Sequence, residues 1–161
     1  METNQLRDIV RRIPILHGFN DGQIEKILSV CSEQSIEKGS VIFQENDESL
    51  GIYILLSGSL QVQTPTGGEI ATIDEMGVVG EMGVLTGQPR AASVVALRDS
   101  TTLCIGKREL FALMEEDKDM GYKIYQNVTH ILADRLRDNN IILEQQYLVL
   151  DDLVGGGRAG A

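Results

Sequence analysis

The chain has no tryptophan, and only two cysteines, two histidines and three prolines among its 161 residues. Each scarcity removes a class of function. Cys31 and Cys104 are far apart and belong to no C-x-x-C pair, so neither a zinc ribbon nor a disulfide framework is encoded. They read as reduced structural thiols of a cytoplasmic protein. His17 and His130 each lack a second ligand at a usable spacing, which argues against a metal centre. Ser57 and Ser59 flank Gly58 without a G-x-S-x-G pattern or an attendant base, and no other catalytic set is legible. No apolar run approaches the roughly 20 residues of a membrane span. The opening METNQLRDIVRRIPIL is charged and has no small-residue cleavage site, so it is not a secretory signal. Basic residues are also in short supply. Against 24 Asp and Glu stand 14 Lys and Arg, for a net charge of −10. Such a surface repels phosphodiester backbones and anionic lipid, so neither DNA nor membrane is an expected partner.

What the chain does contain falls into three textures. Residues 6–32 read as helices: Leu6, Ile9, Val10 and Ile13 recur at helical spacing until Pro14 interrupts. After the turn Asn20-Asp21-Gly22, the segment QIEKILSVC places Ile24, Ile27, Leu28 and Cys31 on one face. Residues 33–106 change period. Short β-rich runs at 40–43, 51–57, 59–64, 69–74, 92–97 and 101–106 are separated by Gly, Asp, Asn and Pro, with a hairpin turn at Thr66-Gly67-Gly68. This pattern predicts a sandwich or barrel. Residues 107–153 return to helix, first a short amphipathic one with Leu110, Phe111, Leu113 and Met114, then a long run from about Gly121. In that run Leu136, Leu143 and Leu150 recur every seven residues, with Leu132, Asn139, Gln146 and Leu153 between them, a partly polar coiled-coil stripe. At about 1.5 Å per residue it extends roughly 50 Å, more than one small barrel needs. It is therefore expected to meet another chain, in a homodimer. Residues 154–161 read as a disordered Gly-rich tail.

The stretch VVGEMGVLTGQPRAASVVA, residues 78–96, holds one acid, Glu81, and one base, Arg90, in an apolar, Gly-rich run. A helical turn at 82–85 would present free amides. Gly80 and Gly83 let a ligand approach the backbone, Arg90 offers a planar fork to two oxygens of one phosphate, and Ala91 and Ala92 leave their amides unobstructed. An ionised Glu81 only accepts hydrogen bonds, which suits a hydroxyl near the phosphate, as in a ribose cyclic phosphate. The residues alone leave a second reading open, an ion pair between Glu81 and Arg90 that ties a loop to the barrel.

The whole stretch resembles the phosphate-binding cassette of the cyclic nucleotide-binding domain family, of the catabolite activator protein and cAMP-dependent kinase regulatory subunit type. The shared pattern is roughly F-G-E-[LM]-[AG]-[LV]-L-x-x-x-P-R-[AST]-A-[ST]-V, and here Val79 stands where Phe is commonest. IPILHGFNDGQIEKI and KGSVIFQENDESLGIYILLSGSLQV are similar to the family's N-terminal helices and early strands, so the resemblance covers about residues 6–150. It implies a mainly β α+β fold: a double-stranded β-helix, or jelly-roll barrel, with N-terminal helices, a short cassette helix and a long C-terminal helix. It also implies roles. Glu81 accepts from the ribose 2′-hydroxyl, the Gly80 backbone lies against the ribose, and Arg90 pairs with the cyclic phosphate. Met82, Gly83, Ala91 and Ala92 complete the cradle, while Val62 and Ala71 line the pocket. The residue that caps the base is not fixed by the resemblance. Arg135, Leu136, Asn139 and Asn140 are candidates, and Asn139 reads equally as a residue that fixes helix pairing. Many cGMP-selective relatives carry Thr after the phosphate-binding Arg. Ala91 occupies that place, which favours cAMP over cGMP.

The implied function is a non-enzymatic cyclic nucleotide sensor that signals through its C-terminal helices to an unknown protein partner. Two alternatives stand beside it: an interaction module of the same fold without nucleotide, and the regulatory fragment of a larger transcription factor. The start at Met1 and the tail GGGRAGA favour a complete small protein.

Overall fold

The computed structural model describes residues 3–155 and divides into a first unit up to Asn127 and a second from Val128. In the first unit, α1 (Thr3–Val10) is followed by a 3-10 turn (Pro14–Leu16) and α2 (Asp21–Val30). Asn20 starts α2 with a capping box: its side chain accepts from the Gln23 amide, and the Gln23 side chain accepts from the Asn20 amide.

Eight strands follow: β1 (Cys31–Ile36), β2 (Val41–Phe43), β3 (Gly51–Ser57), β4 (Leu60–Gln63), β5 (Glu69–Ile73), β6 (Val78–Val79), β7 (Ser93–Ala96) and β8 (Ser100–Gly106). They pair antiparallel in two four-stranded sheets, β1-β8-β3-β6 and β2-β7-β4-β5. This is the expected jelly roll. Alternation along the strands turns Tyr53 and Leu55 of β3 inward, together with Leu60, Ile73, Val79, Val94 and Ala96, to form the core between the sheets. Ile52 and Ile54, on the other face of β3, are also fully buried. The hairpin between β4 and β5 closes through the Thr64 amide to the Gly68 carbonyl (2.8 Å), with Gly67 at φ 83°. Gly58 is confined by packing as well as by its φ of 105°: a Cβ there would lie 2.2 Å from Ser100 Oγ.

Two elements depart from the sequence reading. Cys31 does not continue α2 but opens β1, whose residues 32–35 are all exposed. As an edge strand it pairs with β8 alone and shows no apolar alternation. Val78–Val79 forms a two-residue strand against Tyr53 and Ile54, too short to give a period.

Beyond the barrel lie α4 (Lys107–Glu116), which packs on α2, and α5 (Lys118–Gly155). Helix α5 begins three residues before Gly121 because Asp117 caps it: Asp117 Oδ1 accepts from the Met120 amide at 3.0 Å. Its first turns are tied to the N-terminal segment by polar contacts. Buried Gln23 donates to Asp117 (3.0 Å) and Asp119 (2.9 Å) and accepts from Lys123 (3.2 Å). Buried Asn127 donates to the carbonyls of Ile15 and His17. In the second unit, α5 continues as helix to Gly155, with every residue of 136–155 exposed. Of the expected tail, residues 156–161 lie outside the described residues.

Candidate functional site

The cassette starts where β6 ends. Gly80 takes φ 84°, ψ 0°, a left-handed turn that glycine adopts without strain, and α3 (Glu81–Thr86) follows, ended by Gly87 in the same conformation. The helix is one residue longer at each end than the turn expected at 82–85. Its first amides have no acceptor within the helix. The loop after it is tied back by the Gln88 amide to the Gly83 carbonyl (3.1 Å) and by Ser49 Oγ, which donates to the Gln88 carbonyl (2.7 Å).

Arg90 closes the loop, and its own backbone is fixed first. Its amide donates to the Asp47 carbonyl, and its carbonyl accepts from the Asn46 amide, both at 2.9 Å. The side chain is 4% exposed, an unusual place for a guanidinium. Nη1 donates to the Gly80 carbonyl at 3.0 Å and Nη2 to the Gly51 carbonyl at 2.8 Å. The guanidinium carbon sits 4.0 Å from the centroid of the Phe43 ring, a cation–π stack, and Phe43 in turn meets Tyr53 at 5.9 Å between ring centroids. Nε is sealed from solvent and has no hydrogen-bond partner among the described residues. Burial lowers the Arg90 pKa. Tyr53, Cys104, Asp47 and Glu81 act in the opposite direction, in that order. Glu81 itself is 1% exposed.

The space around these groups is tight. A Cβ on Gly80 would fall 2.4 Å from Arg90 Nη1 and 3.0 Å from the Gly51 carbonyl oxygen. One on Gly83 would fall 2.0 Å from Ser49 Oγ and 2.8 Å from the Gln88 carbonyl oxygen. Both glycines are therefore required by the packing of the cassette. A buried guanidinium with an unused donor, beside a buried carboxylate and bare backbone, fits a ligand that carries both an anionic group and a hydroxyl.

The other expected residues are distributed as follows. Val62 on β4 and Ala71 on β5 face each other across the ladder, both half-buried, and Val62 packs against the core cluster. Met82 is 48% exposed on α3. Ala91 is exposed and Ala92 half-buried in the loop before β7. Arg135, Leu136, Asn139 and Asn140 lie on α5 in the second unit. Phe43, Ser49 and Gly51 escaped the sequence reading. Only the aromatic end of β2, one residue type among apolar neighbours, could have hinted at the first.

The cysteines are chemically quiet. Cys31 is pushed up to about 12, by burial first and then by Cys104. Burial also raises Cys104. Both are free thiols, and thiols so shifted hold little thiolate at neutral pH.

Comparison with known proteins agrees with this geometry. The pattern of the cyclic nucleotide-binding domain matches residues 33–117. The cyclic AMP receptor protein of Thermus thermophilus is 27% identical over 135 residues, which are 81% of this chain and 61% of that protein. A cyclic nucleotide-gated cation channel protein of Drosophila melanogaster is 28% identical over 157 residues, 92% of this chain and 24% of the channel protein. The chain thus spans less than two thirds of either relative. In fold, it is similar to a cyclic nucleotide-binding domain from Methylobacillus flagellatus, with a TM-score of 0.76 at 22% identity, over 88% of this chain and 83% of that one.

Proposed function

Because the chain belongs to the cyclic nucleotide-binding domain family, we propose that it is a non-enzymatic cytoplasmic sensor of a cyclic nucleotide, cAMP in preference to cGMP. The observation that carries this reading is the buried Arg90 with its unpartnered Nε beside the equally buried Glu81. Arg90 pairs with the cyclic phosphate. Glu81 accepts from the ribose 2′-hydroxyl, and the Gly80 backbone lies along the sugar. The amides of Gly83 and Ala91 complete the cradle, flanked by Met82 and Ala92. Val62 and Ala71 form the wall near sugar and base. Ala91, with no hydroxyl to offer guanine, favours adenine. Helix α5 supplies the cap, Asn139 or one of its neighbours Arg135, Leu136 and Asn140, and carries the signal to a homodimer and a further protein partner.

A ligand shifts such a helix only by its differential affinity for the two helix positions. Sensing therefore needs no chemistry, only that nucleotide and helix share one equilibrium.

Isothermal titration with cAMP and cGMP tests the reading. cAMP is expected to bind at micromolar concentration or tighter, with cGMP weaker. Charge-assisted hydrogen bonds contribute about 1.5–3 kcal/mol each, so Arg90→Ala and Glu81→Ala should each weaken binding about 10- to 150-fold. Absence of heat with both nucleotides would sink the proposal in favour of an interaction module of the same fold.

A further inference from the structure

The second unit ends in an apolar surface wider than a two-helix seam. Placing Leu136, Leu143 and Leu150 at heptad position a puts Asn139, Gln146 and Leu153 at d. The flanking rows are then informative. Position g holds Ile142 and Val149, and position e holds Asn140, Tyr147 and Val154. In two-stranded coiled coils these rows commonly carry Glu and Lys that pair across the seam. Between Leu136 and Val154 they carry no charge, Arg135 being the last charged residue at g before that segment. Between Leu136 and Val154 all the charged residues fall at b (Arg137, Glu144, Asp151) or c (Asp138, Asp152). The apolar members of rows a, d, e and g are between 49% and 75% exposed. The f residues Ile141 and Leu148 are two separate apolar side chains of the kind surfaces tolerate.

Two features of this pattern identify the occupant. First, the a/d seam is weak on its own, since its central d layers are Asn139 and Gln146, and a single second helix would leave the e and g rows at its wet margin. A face of four rows needs a neighbour on each side. Second, the chain is strongly acidic, yet from Leu136 to Val154 the b/c placement keeps every charge off that face. Copies of the same chain can therefore approach it without bringing like charges together. Closed assemblies beyond the two-fold dimer are most often tetramers built from two dimers.

We propose that the segment 136–154 of four copies of this chain forms a four-helix bundle, with rows a and d forming one contact and rows g and e the flanking ones. This extends the self-association proposed above from a dimer to a dimer of dimers.

Sedimentation equilibrium of the full chain without nucleotide tests it. The expected mass is four times the 17.7 kDa chain. The g-row double variant Ile142→Glu/Val149→Glu should lower that mass at least twofold. The outward double variant Ile141→Glu/Leu148→Glu should leave it unchanged. Circular dichroism melting of the barrel should be the same in all three, showing that loss of mass is not loss of fold. A wild-type mass of one, two or three chains overturns the proposal, as does a four-chain mass that survives the g-row change. The measurement contains no nucleotide. A failed cAMP titration therefore rejects the sensor reading alone, and a failed mass measurement rejects the bundle alone.

Discussion

At the scale of the residue, the cassette depends on Gly80 more than on any hydrogen bond it makes. An L side chain at φ 84° costs about 1–2 kcal/mol in backbone strain, and its Cβ would meet the Arg90 guanidinium at 2.4 Å. Gly80→Ala should therefore destabilise the fold by at least about 1–2 kcal/mol in urea unfolding and reduce cAMP affinity with it. Phe43 acts through Arg90 and touches no ligand in the proposed pose. Phe43→Leu keeps an apolar side chain but removes the π face, so about 1–2 kcal/mol of the stack should go, with about a tenfold loss in nucleotide affinity. Phe43→Trp should restore most of it. If Leu and Trp proved equivalent, the ring would be mere packing. Arg90, Glu81 and Gly80 were legible in the sequence because small residues surround an isolated charge within one short stretch. Phe43 and Gly51 were not. Gly51 is 39 residues from Arg90, and only the sheet register brings its carbonyl within 2.8 Å.

Elements were legible where apolar residues marked them, as a continuous run in a strand buried on both faces or as one stripe on a helix. Strand β3, buried over most of its length, and helices α2 and α4 carried clear patterns. Strand β1 did not, because an edge strand with an exposed middle has no period to read. The start of α5 was hidden for another reason: its capping residue sits at the end of α4. Hydrogen bonds from the Met120 amide first, and from Gln23 next, hold the Asp117 carboxyl below its usual range. Asp119 is also lowered, by Lys123 first and then Gln23. Carboxylates depressed in the folded state stabilise it above their unfolded pKa of about 3.9 and lose that contribution as pH falls through the folded value. Acid should thus weaken the α2–α5 tie below about pH 4. In Asp117→Asn, urea midpoints between pH 5 and 2 should vary less than in the wild type. Equal pH slopes would show that Asp117 contributes nothing to the tie.

For the whole molecule, fold and family were readable together, since the glycines and arginine that carry the resemblance also hold the packing of the cassette. The pairing of α5 was readable only in part, because a heptad stripe shows an interface without showing how many helices share it. Ligand linkage gives a global check. At a concentration 100 times Kd, a ligand that binds only the folded state adds about 2.7 kcal/mol. For a domain of this size, that raises Tm by roughly 5–10 °C. cAMP should produce such a shift in the wild type and little in Arg90→Ala, as read by differential scanning fluorimetry. One further consequence lies in the carbonyls of Gly51 and Gly80. They belong to β3 and to the cassette, and the guanidinium bridges them like a latch. Any anion that recruits the same two donors must first displace an internal competitor. Binding is then an exchange, not a capture. Chloride, which has no hydroxyl to donate to Glu81, would face that competitor without compensation. Under the proposed function, a ligand taking those two donors would need a second point of attachment, such as Glu81, to offset the carbonyls it displaces.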